Sequence, residues 1–285
     1  RENNCNSNFT VDTIAGSIEE SYRIQDLLKA KYLKEGINIC GWKAGIVSTR
    51  MQKIISSDQT FLSPIFKINN IENNCNLDYK EYINLGLEVE ILCKLNSDII
   101  THNYDWTLEN TKNVIESISL AIELVDTLNL PNIKNNLPLH IANFGNNLGF
   151  VSGKLIENWS NIDLLNEEIT IFLNDTEIEK LKLNYMGLSP ILVAKWMLSN
   201  LKNRRVILKK GDKLLLGSVS QTLWIDENEK LLGQGITNSR SNYDLACQIA
   251  RSEAEVSSRF GLLEVGINNS ENIKEVAADI MPWLN

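Results

Sequence analysis

Helical periodicity is clearest in two segments of the chain. Between residues 13 and 36, apolar side chains recur every three or four positions and form one stripe, so we expect a helix that ends at Gly36. A second helix is predicted at 190–201, where Ser189 is the N-cap and proline occupies the first helical position. Shorter helices are predicted at 48–55 and 111–119, and 58–66, which contains Pro64, is expected to be a loop.

Alternation of apolar and polar side chains predicts a strand at 85–94. Leu87, Val89 and Ile91 face one way, whereas the glutamates at 88 and 90 face the other. Strands outnumber long helices up to about residue 225, which indicates a β-rich α+β fold. Further strands are predicted at 37–47, 120–126 and 213–216.

The pattern changes after about residue 225. Residues 241–260 carry a weak helical stripe, and Ser241 and Asp244 stand at the spacing of a capping box, so we expect a helix there and a second one at 270–281. We therefore divide the chain into a helical lead-in at 1–36, a main domain at 37–225 and a helical extension at 226–285.

Composition excludes several classes of protein. With 43% hydrophobic and 22% charged residues, the chain is too apolar to be disordered. The net charge of −8 argues against a general nucleic-acid binder, because phosphate contacts need a basic face. No apolar run approaches the roughly 20 residues of a membrane span. The five cysteines form no Cys-x-x-Cys pair and there are only two histidines, so any metal is expected on carboxylates.

The carboxylates at 88, 90 and 123 are the first candidates for chemistry. Glu88 and Glu90 project from one strand face, and Glu123 interrupts an apolar run, where burial is costly without a partner. Taken alone, the pair is better explained by a solvated strand face, and an edge strand would expose Glu123. The other interpretation is a Mg²⁺ or Mn²⁺ site, because hard cations prefer oxygen ligands. Lys43, between Gly41 and Gly45, is either a surface lysine or a cation that faces a carboxylate.

Several segments, in order, resemble the 2-keto-4-pentenoate hydratase group of the fumarylacetoacetate hydrolase superfamily, which includes 4-oxalocrotonate decarboxylase. The resemblance runs from about Ser21 to Trp224. Its opening motif is matched by Gly41-Trp42-Lys43-Ala44-Gly45-Ile46-Val47-Ser48, Met51-Gln52 and Asp58-Gln59; its Glu-x-Glu segment by Glu88-Val89-Glu90-Ile91; its third-ligand segment by Ala121-Ile122-Glu123-Leu124-Val125-Asp126; and its later elements by Ile141-Ala142-Asn143, Phe150-Val151, Lys210-Gly211-Asp212 and Gly217-Ser218.

The resemblance implies a mixed β-roll with flanking helices and a metal-dependent lyase. The substrate would be a small 2-keto acid or 2-hydroxydienoate, and hydration or decarboxylation would pass through a metal-stabilised enolate. It also implies a homodimer and favours the cytoplasm. By the same resemblance, Glu88, Glu90 and Glu123 would bind Mg²⁺ or Mn²⁺, Lys43 would hold the substrate carboxylate or assist proton transfer, Gln52 and Ser218 would line the pocket, and Asp126 and Asn143 would support the ligands.

Departures from the family pattern keep other functions open. Phe61 stands where the hydratases carry an acid, and Ser63 stands where many have glycine. The chain would then act on a different 2-keto acid, favour decarboxylation, or bind a ligand or partner without turnover. A β-diketone hydrolase ranks lower, because His102 and His140 lie off the motifs. Two further departures are Asn143-Phe144 in place of Asp-Asn and Ser220-Gln221 in place of Thr-Gly.

The ends of the chain also differ from the family pattern. The extension at 226–285 is interpreted as a helical arm for subunit contacts, and a faint resemblance to a small bacterial lipoprotein domain is the alternative. The first residue is Arg1, which fits either a removed targeting segment or a trimmed chain. A processed extracytoplasmic form therefore remains the alternative to the cytoplasm.

Overall fold

The structure is a computed structural model of the chain. It describes residues 16–225, apart from 72, 74, 128, 129, 131, 175 and 184–188, together with the strands at 230–235 and 244–250. The helices in these residues are α1 (Ile18–Lys34), α2 (Thr49–Ile55), α3 (Leu108–Asn113), α4 (Ile133–Ala142) and α5 (Pro190–Asn203). The strands are β1 (Ile39–Gly45), β2 (Phe61–Phe66), β3 (Asn70–Ile71), β4 (Cys75–Asp78), β5 (Leu85–Leu95), β6 (Ile99–Ile100), β7 (Ile115–Asp126), β8 (Asn147–Ser152), β9 (Glu168–Leu173), β10 (Thr176–Lys182), β11 (Ile207–Leu208), β12 (Lys213–Ser218), β13 (Leu223–Trp224), β14 (Lys230–Gly235) and β15 (Asp244–Ala250).

The main sheet is mixed and curls into a half-barrel with flanking helices, which confirms the predicted fold class. Its strand order is β2-β1-β12-β5-β7-β8-β3, and β13 also pairs with β5. The long strands β5 and β7 lie antiparallel at its centre, while β1 runs parallel to β12. Because β5 alternates, Leu87, Val89 and Ile91 enter the large buried cluster that also contains Met197 and Leu198 of α5. Its other face carries the glutamates.

A second sheet of five strands has the order β10-β9-β14-β15-β4. In it β14 pairs antiparallel with β9, and β15 pairs parallel with β4. The helix predicted at 241–260 is therefore wrong over Asp244–Ala250, which is a strand. The remainder of 226–285, including the helix predicted at 270–281, lies outside the described residues, as does the lead-in before residue 16.

Two further predictions are corrected by the main sheet. The loop expected at 58–66 is wrong from Phe61 onward, because β2 begins there and forms an edge of the sheet. The helix expected at 111–119 ends at Asn113, and its second half belongs to β7. The helices at 13–36, 48–55 and 190–201 are confirmed in their described residues, as are the strands at 37–47, 85–94, 120–126 and 213–216.

The two glycines around Lys43 are required by close approach. A Cβ atom built on Gly41 would lie 2.1 Å from the carbonyl oxygen of Lys213, so the pairing of β1 with β12 needs glycine there. A Cβ atom on Gly45 would lie 2.2 Å from the ring of Phe61. Both glycines therefore allow a close approach that a Cβ atom would prevent.

Among the described residues, every helix is too short or too polar to cross a membrane.

Candidate metal centre

The sheet brings the three predicted glutamates together. In the register of β5 and β7, Glu88 lies directly opposite Glu123, and Glu90 follows two residues later on the same face of β5. One carboxylate oxygen from each of the three lies within 4.8 Å of the other two. Glu90 and Glu123 are fully buried, whereas Glu88 is partly exposed. Three carboxylates from two strands therefore converge at one point.

Each carboxylate is held through one oxygen. The backbone N–H of Gly217 donates to Oε2 of Glu90 over 3.0 Å. The Asn147 amide donates to Oε1 of Glu123 over 2.8 Å, and the Thr222 hydroxyl donates to Oε1 of Glu88. Gly217 has a φ of +91°, which glycine adopts readily and which turns β12 at this point.

The remaining oxygens of the two buried glutamates fit a metal ion. Oε1 of Glu90 and Oε2 of Glu123 are buried and have no hydrogen-bond partner among the residues that the structure describes. A buried unpaired carboxylate oxygen is costly. Donors that are all oxygen suit Mg²⁺ or Mn²⁺ rather than a softer metal. The residues present therefore fit the divalent cation that the sequence predicts.

Lys43 is the cation of the cluster. Its side chain is buried, and its ammonium pairs with Oε1 of Glu123 and donates to the carbonyl oxygen of Gly145 over 3.3 Å. Burial lowers the pKa of Lys43, but the charges of Glu123, Glu88 and Glu90 outweigh it and raise the pKa above its ordinary value. Lys43 is thus charged, but one ammonium cannot balance three carboxylates if all of them are ionised, and a dication would offset the excess negative charge.

Burial and like charge perturb the two glutamates of β5. Burial raises the pKa of Glu90 well above its usual value, and the charge of Glu123 adds to the effect, while Lys43 opposes it. The pKa of Glu88 is also raised by burial and by Glu123, against the influence of Lys43 and Thr222. Without a further cation, it is unfavourable for carboxylates this close together to be ionised all at the same time, because a nearby negative charge raises the pKa of a carboxyl group.

These raised pKa values predict how the stability of the metal-free protein depends on pH. Between the ordinary and the raised pKa, folded Glu88 and Glu90 bind more protons than the unfolded chain does. Stability therefore falls as the pH rises through this window. We expect the urea midpoint in chelator to decrease from pH 5 to pH 8, and we expect Glu90→Gln to flatten the decrease. A midpoint with the same pH dependence in both proteins would contradict the assignment.

An aromatic ring closes the cluster beside Lys43. Gly145 has a φ of +65°, and a Cβ atom built on it would lie 2.7 Å from the ring of Phe61 and 3.3 Å from Nζ of Lys43. The ring and the ammonium therefore border the same small space. Phe61 is itself buried and packs with Ile55 and Ile141 in an apolar cluster. The nearest groups that border this space are thus the apolar ring of Phe61 and the ammonium of Lys43.

The other predicted residues make different contacts. The carboxylate of Asp126 accepts the backbone N–H groups of Ile83 and Asn84, at 2.8 and 3.0 Å, and so fixes the entry to β5. Asp126 therefore contacts the loop that leads into β5. Three more polar groups also bond elsewhere: the Gln52 amide with the carbonyl oxygen of Ile46, the Ser218 hydroxyl with that of Ser220, and the Asn143 amide with the side chain of Asn146.

Sequence reasoning missed the residues that hold the carboxylates. Asn147 is the first residue of β8 and Thr222 comes just before β13, while Gly145, whose carbonyl oxygen accepts from Lys43, comes from the turn before β8. None of them stands in a recognisable spacing with the glutamates. Gly217 belongs to the Gly217-Ser218 motif, but that motif does not predict that its N–H binds Glu90.

Comparison with known proteins identifies the class of fold. No family model matches the sequence, and neither does any curated protein. The fold matches 4-oxalocrotonate decarboxylase from Pseudomonas putida G7, complexed with magnesium and adipate, with a TM-score of 0.72 and 13% identity over 82% of this chain and 86% of that one. It also matches fumarylpyruvate hydrolase from Pseudomonas aeruginosa, in complex with Mn²⁺ and pyruvate, with a TM-score of 0.55 and 12% identity over 75% of this chain and 90% of that one.

A third match extends the range of reactions seen on this fold. It is 2-hydroxyhepta-2,4-diene-1,7-dioate isomerase from Mycobacterium marinum, with a TM-score of 0.56 and 12% identity over 76% of this chain and 78% of that one. The chain thus has the fold of the fumarylacetoacetate hydrolase superfamily, as the sequence motifs predicted. At these identities the comparison establishes the fold, and the chemistry must be argued from the site.

Proposed function

We propose that this protein is a divalent-metal-dependent lyase, a hydratase or decarboxylase, that acts on a small 2-oxo acid or its 2-hydroxydienoate form. The observation that carries the proposal is the convergence of Glu88, Glu90 and Glu123, with two buried carboxylate oxygens unpartnered among the described residues. Magnesium or manganese in the structures of two matching proteins supports the choice of metal. A homodimer in the cytoplasm is the accompanying proposal that the resemblance favours.

The residues of the chain have separate tasks in this proposal. Glu88, Glu90 and Glu123 would hold the ion, and Gly217, Asn147 and Thr222 keep one oxygen of each carboxylate in place. When bound, a divalent ion supplies Lewis-acid stabilisation of an enolate. Gln52 and Ser218 would line the pocket, and Asp126 and Asn143 would support the metal ligands.

Lys43 would fix the acid end of the substrate. Among the described residues, two acceptors engage its ammonium, namely Glu123 and the carbonyl oxygen of Gly145. An ammonium has three N–H donors, so one can still be directed at a substrate carboxylate. Because its pKa is raised, Lys43 keeps its proton near neutrality and acts through charge and hydrogen bonding.

A second candidate function is binding of the same ligand without turnover. It is favoured by Phe61, whose apolar ring borders the same space as the Lys43 ammonium at a position where the resembling hydratases carry an acid. The two functions share the metal and the 2-oxo acid, and they differ in whether an enolate forms.

The test follows exchange of the C3 protons of pyruvate with D₂O by NMR in the presence of Mg²⁺. Enolisation exposes these protons to exchange, so the wild type is expected to accelerate exchange over Mg²⁺ alone. Glu88→Gln removes one of three charged ligands and should abolish the acceleration. It should also weaken Mg²⁺ binding by at least about 100-fold, since changes to supporting residues alone cost about 10- to 100-fold.

Glu116→Gln is the matched control for this experiment. Glu116 lies on β7 like Glu123, is half-buried, and pairs with Lys94 outside the cluster. It should exchange pyruvate protons at the wild-type rate. Binding of Mg²⁺ and pyruvate without faster exchange would favour the second function, and absence of Mg²⁺ binding by the wild type would refute both.

A further inference from the structure

The exposure of the cluster indicates the side from which a substrate reaches it. Glu90, Glu123 and Lys43 are buried, whereas Glu88 is partly exposed. Beyond Lys43 the space is closed by the ring of Phe61, which is wedged against Gly45 and Gly145. The side of Glu88 is therefore an open approach by which a ligand can reach the glutamates.

Trp224 lies on that side. In the pairing of β13 with β5, Trp224 is the partner of Gly86, which is two residues before Glu88 and therefore on the same face of β5. Thr222, at the other end of this short segment, donates its hydroxyl to Glu88. The segment thus places an indole next to the one partly exposed glutamate, at a distance of roughly 7 Å along the strand.

The indole is held in place and still accessible. A Cβ atom built on Gly86 would lie 2.6 Å from the methyl group of Thr222 and 2.9 Å from Cζ3 of Trp224, so the ring rests on the bare backbone of Gly86. Nevertheless, Trp224 is 51% exposed. A large aromatic side chain that is ordered by strand pairing and open on one face can bind a planar group with little loss of conformational entropy.

We propose that Trp224 determines substrate specificity, because its ring binds the part of the substrate beyond C3. This inference rests on the proposed function, which places the oxo-acid end at the glutamates. The distance along β5 from Glu88 to Gly86 exceeds the length of pyruvate, so pyruvate at the glutamates would not reach the indole. A planar aromatic or conjugated group attached to C3 would reach it. The substrate class is therefore a 2-oxo acid with a planar apolar tail.

The test compares binding of pyruvate and phenylpyruvate, with Mg²⁺ present, by isothermal titration calorimetry. These two acids share the oxo-acid end and differ in one aromatic ring. In the wild type we expect phenylpyruvate to bind about three- to tenfold more tightly, the range found for aromatic pairs. Trp224→Ala should bring the two dissociation constants together through weaker binding of phenylpyruvate, while that of pyruvate stays the same. Trp224→Phe should keep most of the preference.

Tyr104→Ala is the control, because Tyr104 is a partly exposed aromatic residue that stacks on Trp106 rather than lying beside the glutamates. It should retain the wild-type preference. If neither acid binds the wild type, the proposed function and this inference both fail. If pyruvate binds and Trp224→Ala leaves the ratio of the two constants unchanged, only the role of Trp224 is overturned. If Trp224→Ala leaves that ratio unchanged but alters the oligomeric state, Trp224 would instead belong to a subunit contact.

Discussion

Replacing Lys43 with methionine is expected to lower the free energy of unfolding of the metal-free protein by about 3–5 kcal/mol. Lys43 and Glu123 form a buried ion pair, and removal of one partner leaves the other charge without compensation in the interior. Methionine keeps most of the length of the side chain, so the loss of packing is small. Urea denaturation in chelator at pH 7.5 measures the effect.

A neighbouring ion pair supplies the control for Lys43→Met. Lys94 pairs with Glu116 across the same two central strands, β5 and β7, at 3.1 Å, but both side chains are about one-third exposed. Exposed pairs contribute up to about 1 kcal/mol, so Lys94→Met should cost no more than that. Equal losses of unfolding free energy in the two variants would show that the buried Lys43–Glu123 pair stabilises the fold no more than an exposed pair does.

Replacing Glu90 with glutamine is expected to have opposite effects with and without metal. In the metal-free protein, glutamine keeps the shape, still accepts the N–H of Gly217, and removes a buried carboxylate whose pKa is well raised. We therefore expect stability in chelator to increase at pH 7.5. With Mg²⁺ the loss of one ligand should weaken binding at least about 100-fold, which is about 2.7 kcal/mol.

Calorimetric melting with and without Mg²⁺ tests this crossover. At a Mg²⁺ concentration 100 times the wild-type dissociation constant, the wild type should gain about 2.7 kcal/mol, and Glu90→Gln should gain well under 1 kcal/mol. Glu116→Gln, on β7 but outside the cluster, should gain as much as the wild type. A variant that is less stable than the wild type in chelator and equally stabilised by Mg²⁺ would contradict the site.

The glutamates could be predicted from the sequence because their signals are local. Glu88 and Glu90 follow the period of two of a strand, and Glu123 lies within a run of buried apolar residues. Their convergence depends on the register of β5 with β7, which no local pattern specifies. The family motifs supplied that pairing. Neither a local pattern nor a family motif indicated Asn147 and Thr222, because tertiary contacts set the positions of the segments that carry them.

The failed predictions have separate physical causes. Pro64 indicated a loop, yet β2 is an edge strand, where proline is tolerated since one side needs no ladder hydrogen bond. On β7, a register shift between the partners of Lys94 and Leu95 inserts Glu116 as an extra residue, which disturbs the alternation at its start. At 244–250, Leu245, Cys247 and Ile249 alternate as a strand requires, whereas the spacing of Ser241 and Asp244 indicates a helix N-terminus.

The second sheet makes β4 and β9 depend on strands that come after residue 225 in the chain. Strand β14 covers one edge of β9, and β15 is the partner of β4 in a parallel pair. A protein shortened after residue 225 would leave β4 alone and one side of β9 open, and uncovered strand edges promote intermolecular association. We therefore expect the late strands to limit association between molecules, and β4, made early in synthesis, has no strand partner until nearly the whole chain has been made.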